Sequence, residues 1–208
     1  MKQRMSPQSN KVVENPIFWN GKYLNNEMGW DIGKPTPIFI ELEKKFKNNS
    51  HILVPGCGLG HDALYFAEKN HFVDAVDFSK FAIEQINKIS KIYNLKINAI
   101  NDDFFNLDDT YNNKYDYIIE YTFFCAINPH ERYRYTKKCY QLLKVGGSLK
   151  GVFLPLNAET ASDPPFHISI EEIKDLFGKL FYIKEINYNI NSISKRVNNE
   201  VFIEMIKK

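Results

Sequence analysis

An apolar pentapeptide, His51-Ile-Leu-Val-Pro55, runs directly into Gly56-Cys-Gly-Leu-Gly60, and Asp77 closes the next apolar segment, Phe72-Val-Asp-Ala-Val76. A strand that breaks into a glycine-rich turn and re-forms as a helix puts backbone N–H groups and a helix start at one edge of a sheet. A ligand can then approach the bare backbone closely. An acid at the tip of the following strand can accept hydrogen bonds from both hydroxyls of a ribose. This pairing restricts the chain to a sheet of parallel strands joined by helices, with a nucleotide-type site at the strand ends.

The rest of the chain extends the pattern. Helical spacing of apolar residues is seen from Pro37 to Phe46, from Asp62 to Lys69 and after Ser79, a predicted N-cap. Lys96–Ile100, Tyr115–Glu120 and Ser148–Leu154 read as further strands. Glu131–Leu143 reads as a helix stopped by Gly146-Gly147, and Ser169 as the cap of a helix reaching Phe177. Two closing strands, Phe181–Ile190 and Arg196–Ile206, follow one another without a helix between them. The expectation is an α/β, Rossmann-like fold: a seven-stranded, mostly parallel sheet with a C-terminal antiparallel hairpin. Residues 1–14 are expected to be a flexible N-terminus, and 15–208 one domain, consistent with 208 residues.

Composition removes several function classes. Lys plus Arg number 27 against 25 Asp plus Glu, a net charge of +2, so no broad field steers the chain to nucleic acid or an anionic membrane. No apolar run approaches the roughly 20 residues of a spanning helix. Met1–Asn10 is polar, with no secretory signal pattern. Cys57, Cys125 and Cys139 are too widely spaced for a CxxC pair or a disulfide framework, which suits a reducing cytoplasm, and no His/Cys cluster has metal-ligand spacing. No nucleic acid and no membrane is expected as a partner, and the chain is expected to be a monomer or weak dimer.

The glycine loop alone does not name the nucleotide. Gly58, Gly60 and Ala63 satisfy G-x-G-x-x-G/A, so a dinucleotide and an NAD-dependent oxidoreductase stay open, with Tyr133/Lys137 or Tyr140/Lys144 as a Tyr-x-x-x-Lys pair. Asp102-Asp103-Phe104-Phe105 after the third strand favours S-adenosylmethionine instead. A carboxylate there can meet the adenine amino group, and Phe104 can cover the ring.

Phe18-Trp-Asn with Gly29-Trp-Asp-Ile-Gly-Lys-Pro-Thr-Pro37, Val54-Pro-Gly-Cys-Gly-Leu-Gly-His-Asp62, Asp103-Phe-Phe105, Glu120-Tyr-Thr-Phe-Phe-Cys-Ala-Ile127, Gly146-Gly147 and Pro164-Pro165-Phe166 form one further pattern. From about Asn15 onward these segments resemble the thiopurine S-methyltransferase superfamily of class I S-adenosylmethionine-dependent methyltransferases, in its halide, thiocyanate and thiol methyltransferase branch. The resemblance implies methyl transfer from S-adenosylmethionine to a thiol, bisulfide, thiocyanate or iodide, releasing S-adenosylhomocysteine. A thiopurine or other aromatic thiol is the alternative acceptor, and a non-catalytic cofactor-binding protein a more distant one.

The resemblance also places Trp19 and Trp30 over the cofactor, Gly56 and Gly58 beneath its methionine end, and Asp77 on the ribose. Asp103 and Phe104 frame adenine, and Tyr121 stands near the sulfonium as a positioning residue. Tyr23 falls where some relatives carry a third Trp, Glu120 where an Asp is common, and Arg132 where the thiopurine branch has a helix arginine. Phe123 and Phe166 are expected to line the acceptor pocket, with His130 and His167 near its mouth, where either can take a thiol proton. Asp163-Pro-Pro-Phe166 resembles a motif of amino-group methyltransferases but follows the fifth strand rather than the fourth. It is read as a lid or a rigid loop.

Overall fold

In the computed structural model, which describes residues 12–157 and 163–208, strands and helices alternate along much of the chain after its glycine-rich turn. Asn15 opens α1 (Pro16–Leu24), its side chain accepting the Ile17 N–H, and Pro16 takes the first turn, where no intrahelical donor is needed. After α2 (Pro37–Glu43), β1 (His51–Pro55) turns through the glycines into α3 (His61–Glu68). Then come β2 (Phe72–Asp77), α4 (Lys80–Tyr93), β3 (Ile97–Asn101) and β4 (Tyr115–Tyr121). Ser79 caps α4 as expected. The chain ends with α5 (Arg132–Leu142), β5 (Leu143–Phe153), α6 (Ile170–Phe177), β6 (Phe181–Asn187) and β7 (Val201–Lys207).

The seven strands lie in the order β3-β2-β1-β4-β5-β7-β6. The first five are parallel, and β7 runs antiparallel to both β5 and β6. The order reverses between β1 and β4, which opens a crevice at the carboxyl ends of these strands. Successive side chains of β1 serve opposite faces. Leu53 joins Ile118, Leu149, Phe124 and Phe177 on one face, while Ile52 and Val54 join Phe39, Phe66, Ile119 and Phe202 on the other.

Two local expectations are corrected. Gly146 and Gly147 do not stop a helix: α5 ends at Leu142, Leu143 is already extended, and both glycines lie inside β5. The register shifts there between Tyr115 and Tyr117, and a Cβ on Gly147 would sit 3.0 Å from the Tyr115 carbonyl oxygen, so glycine serves a bulge. The last strand begins at Val201, not Arg196, because Ser194–Arg196 forms a 3-10 turn whose arginine bonds to other parts of the fold. Of the expected flexible N-terminus, residues 1–11 lie outside the described residues. Val12–Glu14 is a 3-10 turn with Val13 buried, held because the Trp19 indole donates to the Val13 carbonyl at 2.8 Å.

Candidate active site

The crevice at the β1/β4 switch point holds a cavity of about 940 Å³. Among its walls are Trp19, Trp30, Gly56, Asp77, Asp103, Phe104 and Phe123. It thus gathers seven of the predicted residues from six separate stretches of chain. The two indoles meet edge to face, with centroids 5.4 Å apart at 77°. Tyr23 is buried against them, 5.6 Å from Trp30 and stacked on Phe81 of α4. A Cβ on Gly58 would lie 3.1 Å from the Tyr23 hydroxyl and 3.9 Å from the Trp30 indole nitrogen, so the N-terminal aromatics close directly over a bare loop.

Asp77 shows how the loop is built. Its Oδ2 accepts the Gly58 N–H at 2.9 Å and its Oδ1 the Ser79 N–H at 2.8 Å. Each oxygen keeps further acceptor capacity. Burial pushes the carboxyl up to about 6, against the lowering effect of those two bonds. Asp103 caps the 3-10 turn Phe104–Asn106, its Oδ1 accepting the Phe105 N–H at 2.9 Å.

A second, smaller cavity of about 60 Å³ shares Trp30, Gly56 and Thr122 with the first. Gly58 and Tyr121 line this one rather than the larger cavity. The Tyr121 hydroxyl accepts from the Arg196 guanidinium and lies 3.4 Å from Glu200 Oε2. Asp62 also lines this space and joins α3 to the stretch after α1: the Thr36 N–H and Oγ1–H donate to its two oxygens at 2.7 and 2.8 Å. Burial pushes Asp62 up to about 6. Thr36→Val keeps the shape and removes one donor, an expected loss of roughly 1.5–3 kcal/mol for a bond to a charged group. Because the lost bond favours the ionised acid, the deficit in denaturant midpoint should be largest above pH 6 and shrink toward pH 5.

Other expected pocket residues fall elsewhere. Phe166 is buried, its N–H donating to the Cys125 carbonyl at 2.8 Å, while Asp163, Pro164 and Pro165 reach the cavity wall. His130 is exposed in a 3-10 turn, and His167 Nε2 is 3.1 Å from the Leu156 carbonyl; neither is among the lining residues. Arg132 is not available to a ligand, since its guanidinium pairs with Glu172 at 2.8 Å and spans the Phe124 ring. Tyr133 and Lys137 face solvent on α5, the ammonium 4.8 Å from the ring, so this Tyr-x-x-x-Lys pair lies away from the cavity. Arg196, expected in a strand, is instead a wall residue whose Nη2 donates to the Trp30 carbonyl at 2.7 Å. Its charge could have been noticed, but nothing local in the sequence marked it as part of the site.

The family described as Thiopurine S-methyltransferase matches residues 14–207. A probable thiol methyltransferase 2 of Arabidopsis thaliana is 36% identical over 157 residues, 74% of this chain and 68% of that protein. Thiocyanate methyltransferase 1 of Brassica oleracea is 32% identical over 189 residues, 88% of this chain and 81% of that protein. Among solved structures, the 1,6-didemethyltoxoflavin-N1-methyltransferase of Burkholderia thailandensis, with bound 1,6-didemethyltoxoflavin and S-adenosylhomocysteine, superposes with a TM-score of 0.80 at 15% identity. That match covers 100% of this chain and 93% of the other, and it shows a common Rossmann-like class I fold. With a match spanning nearly the whole sequence and the glycine turn, Asp77 and paired indoles gathered at one switch point, the chain belongs to the thiopurine S-methyltransferase family.

Proposed function

We propose that this protein transfers a methyl group from S-adenosylmethionine to a small sulfur or halide nucleophile: a thiol, bisulfide, thiocyanate or iodide. The observation that carries the reading is Asp77, a buried acid with spare acceptor capacity at the tip of β2, on the wall of a cavity that also presents two indoles and a bare glycine loop. The donor set suits the methyl donor. Asp77 takes the ribose hydroxyls, Asp103 and Phe104 take adenine, and Trp19 and Trp30 cover the sulfonium end beside Gly56. When bound, the donor supplies a carbon activated by its sulfonium and open to in-line displacement.

The chain's own residues then have a limited task. Aromatic faces attract a cation by about 1 kcal/mol, more when water is excluded. Arg196 brings a guanidinium to the wall, which favours an anionic nucleophile. A halide or thiolate carries no proton to remove, so positioning supplies the acceleration without an obligatory base. The volume favours one further reading. About 940 Å³ is at the upper end of ligand pockets and leaves room beside a nucleoside for an aromatic thiol or thiopurine. A reducing, cytoplasmic setting matches the three free cysteines.

The test is incubation with methyl-labelled donor and, in separate vials, iodide, bisulfide, thiocyanate, thiophenol or a thiopurine. Labelled volatile product from an inorganic anion is expected. Product from the aromatic thiols alone selects the second reading. Calorimetric binding of NADH without binding of S-adenosylhomocysteine overturns both.

A further inference from the structure

Glu120, at the end of β4, is 1% exposed yet does not line either cavity. Its carboxylate accepts three hydrogen bonds. The Phe123 and Phe124 N–H groups donate to Oε1 at 2.9 and 2.7 Å, and the Tyr135 hydroxyl donates to Oε2 at 2.6 Å. The first two bonds shape the turn by which the chain leaves β4. In that turn Thr122 has φ +67°, a left-handed conformation that β-branched residues seldom adopt and that persists only where the surroundings impose it.

Thr122 lines both cavities, and Phe123 packs against the glycine loop so closely that a Cβ on Gly56 would lie 2.3 Å from its ring. The third bond reaches α5. Tyr135 is fully buried there, with ring centroids 5.3 Å from Phe104, 5.9 Å from Phe123 and 5.3 Å from Phe124. One carboxylate therefore joins the turn beside the loop to the aromatic wall around Phe104. Room for it comes from Gly151, its partner on β5, where a Cβ would lie 3.2 Å from Glu120 Cβ and 2.6 Å from the Phe153 ring.

We propose that Glu120 is a positioning residue whose ionised carboxylate holds the Thr122–Phe123 turn and, through Tyr135, the Phe104 wall in the form that binds the methyl donor. The inference rests on the donor reading above. Burial pushes this carboxyl up to about 7, partly offset by the bonds from Tyr135, Phe124 and Phe123. The titratable groups facing it are Tyr135 and Cys139 of α5 and Cys125 after β4. Burial raises all three, so they are neutral at neutral pH and add no like charge beside the carboxylate. Arg132, also on α5, is spent on Glu172. Protonation turns one Glu120 oxygen into a donor, reverses the Tyr135 bond and removes the charge assistance from all three bonds. Glutamine has nearly the same shape and offers one acceptor oxygen and one uncharged donor group, with one N–H more than the protonated acid, so Glu120→Gln imitates the uncharged state at every pH.

Calorimetry of S-adenosylhomocysteine binding from pH 5 to 8.5 tests this on the full chain, with circular dichroism to confirm that the variants fold. Wild-type affinity should rise in two limbs, near pH 6 from Asp77 and near pH 7 from Glu120. Glu120→Gln should bind about tenfold more weakly at pH 8, lack the upper limb and keep the lower one. Tyr135→Phe, which removes a single bond, should show a smaller loss. Wild-type affinity in Glu120→Gln with both limbs intact overturns the proposal, as does a uniform loss with the upper limb retained, which is the mark of a purely structural role. Wild-type protein that binds no S-adenosylhomocysteine at any pH overturns the donor reading instead, and this inference with it.

Discussion

Gly56→Ala is expected to lose roughly 2–5 kcal/mol of stability, the sum of left-handed strain and overpacking. Gly56 has φ +55°, where an L side chain is strained. The added methyl would also meet Phe123 at 2.3 Å from Cδ2, 2.5 Å from Cγ and 2.8 Å from Cβ. The last contact is near the Phe123 backbone, so a rotamer change alone cannot relieve it. Either the turn after β4 or the loop after β1 must move, and both border the cavity. S-adenosylhomocysteine binding should fall below calorimetric detection, together with a lower denaturant midpoint. Gly29→Ala is the control: nothing lies within 4 Å of its Cβ and its φ is not positive, so its midpoint should stay near wild type. Equal midpoints for the two variants would mean that Phe123 does not rest on the loop.

Asp77→Ala should weaken S-adenosylhomocysteine binding by about 1–3 kcal/mol, roughly 5- to 150-fold, through loss of charge-assisted bonds to the ribose. Part of the loss comes from within the protein, because the Gly58 and Ser79 N–H groups lose their acceptor. The pH dependence has a definite sign. Burial raises the folded carboxyl to about 6, above its unfolded value, so the folded state holds the extra proton. Asp77 therefore contributes a stability that declines as pH rises from about 4 to 6 and is level above. Binding runs the other way: hydroxyl donors favour the ionised acid, so affinity should fall as pH drops through 6. Asp77→Ala should remove that limb. A variant with unchanged affinity and an unchanged profile would show that the ribose lies elsewhere.

Much of the fold was legible because its signals are local. The Ser79 and Ser169 caps, the glycine turn after β1 and the apolar run of β1 each act within a few residues. The errors came where a local sign had two meanings. Gly146-Gly147 reads as a helix stop, but the β4–β5 bulge needs the same conformational freedom. Phe166 adjoins Pro164 and Pro165 in one motif, yet successive residues of a loop can face opposite ways: the prolines reach the cavity wall, while Phe166 is buried with its N–H on the Cys125 carbonyl.

The chain alone determined the parallel sheet, the position of the nucleotide-type loop and the acid opposite it, because these follow from backbone sterics and hydrogen bonding in short stretches. Only the tertiary structure decided which distant groups complete the cavity. Arg196 reaches the Trp30 carbonyl across 166 residues of sequence. It does so because β7 is antiparallel, pairing Val201 with Phe153, which brings the turn before β7 to the carboxyl ends of the parallel strands. Glu120 likewise became a link between β4 and α5 only when packing buried it beside Tyr135. Sheet order and the docking of one distant turn against another are properties of the whole assembly, and no window of residues carries them.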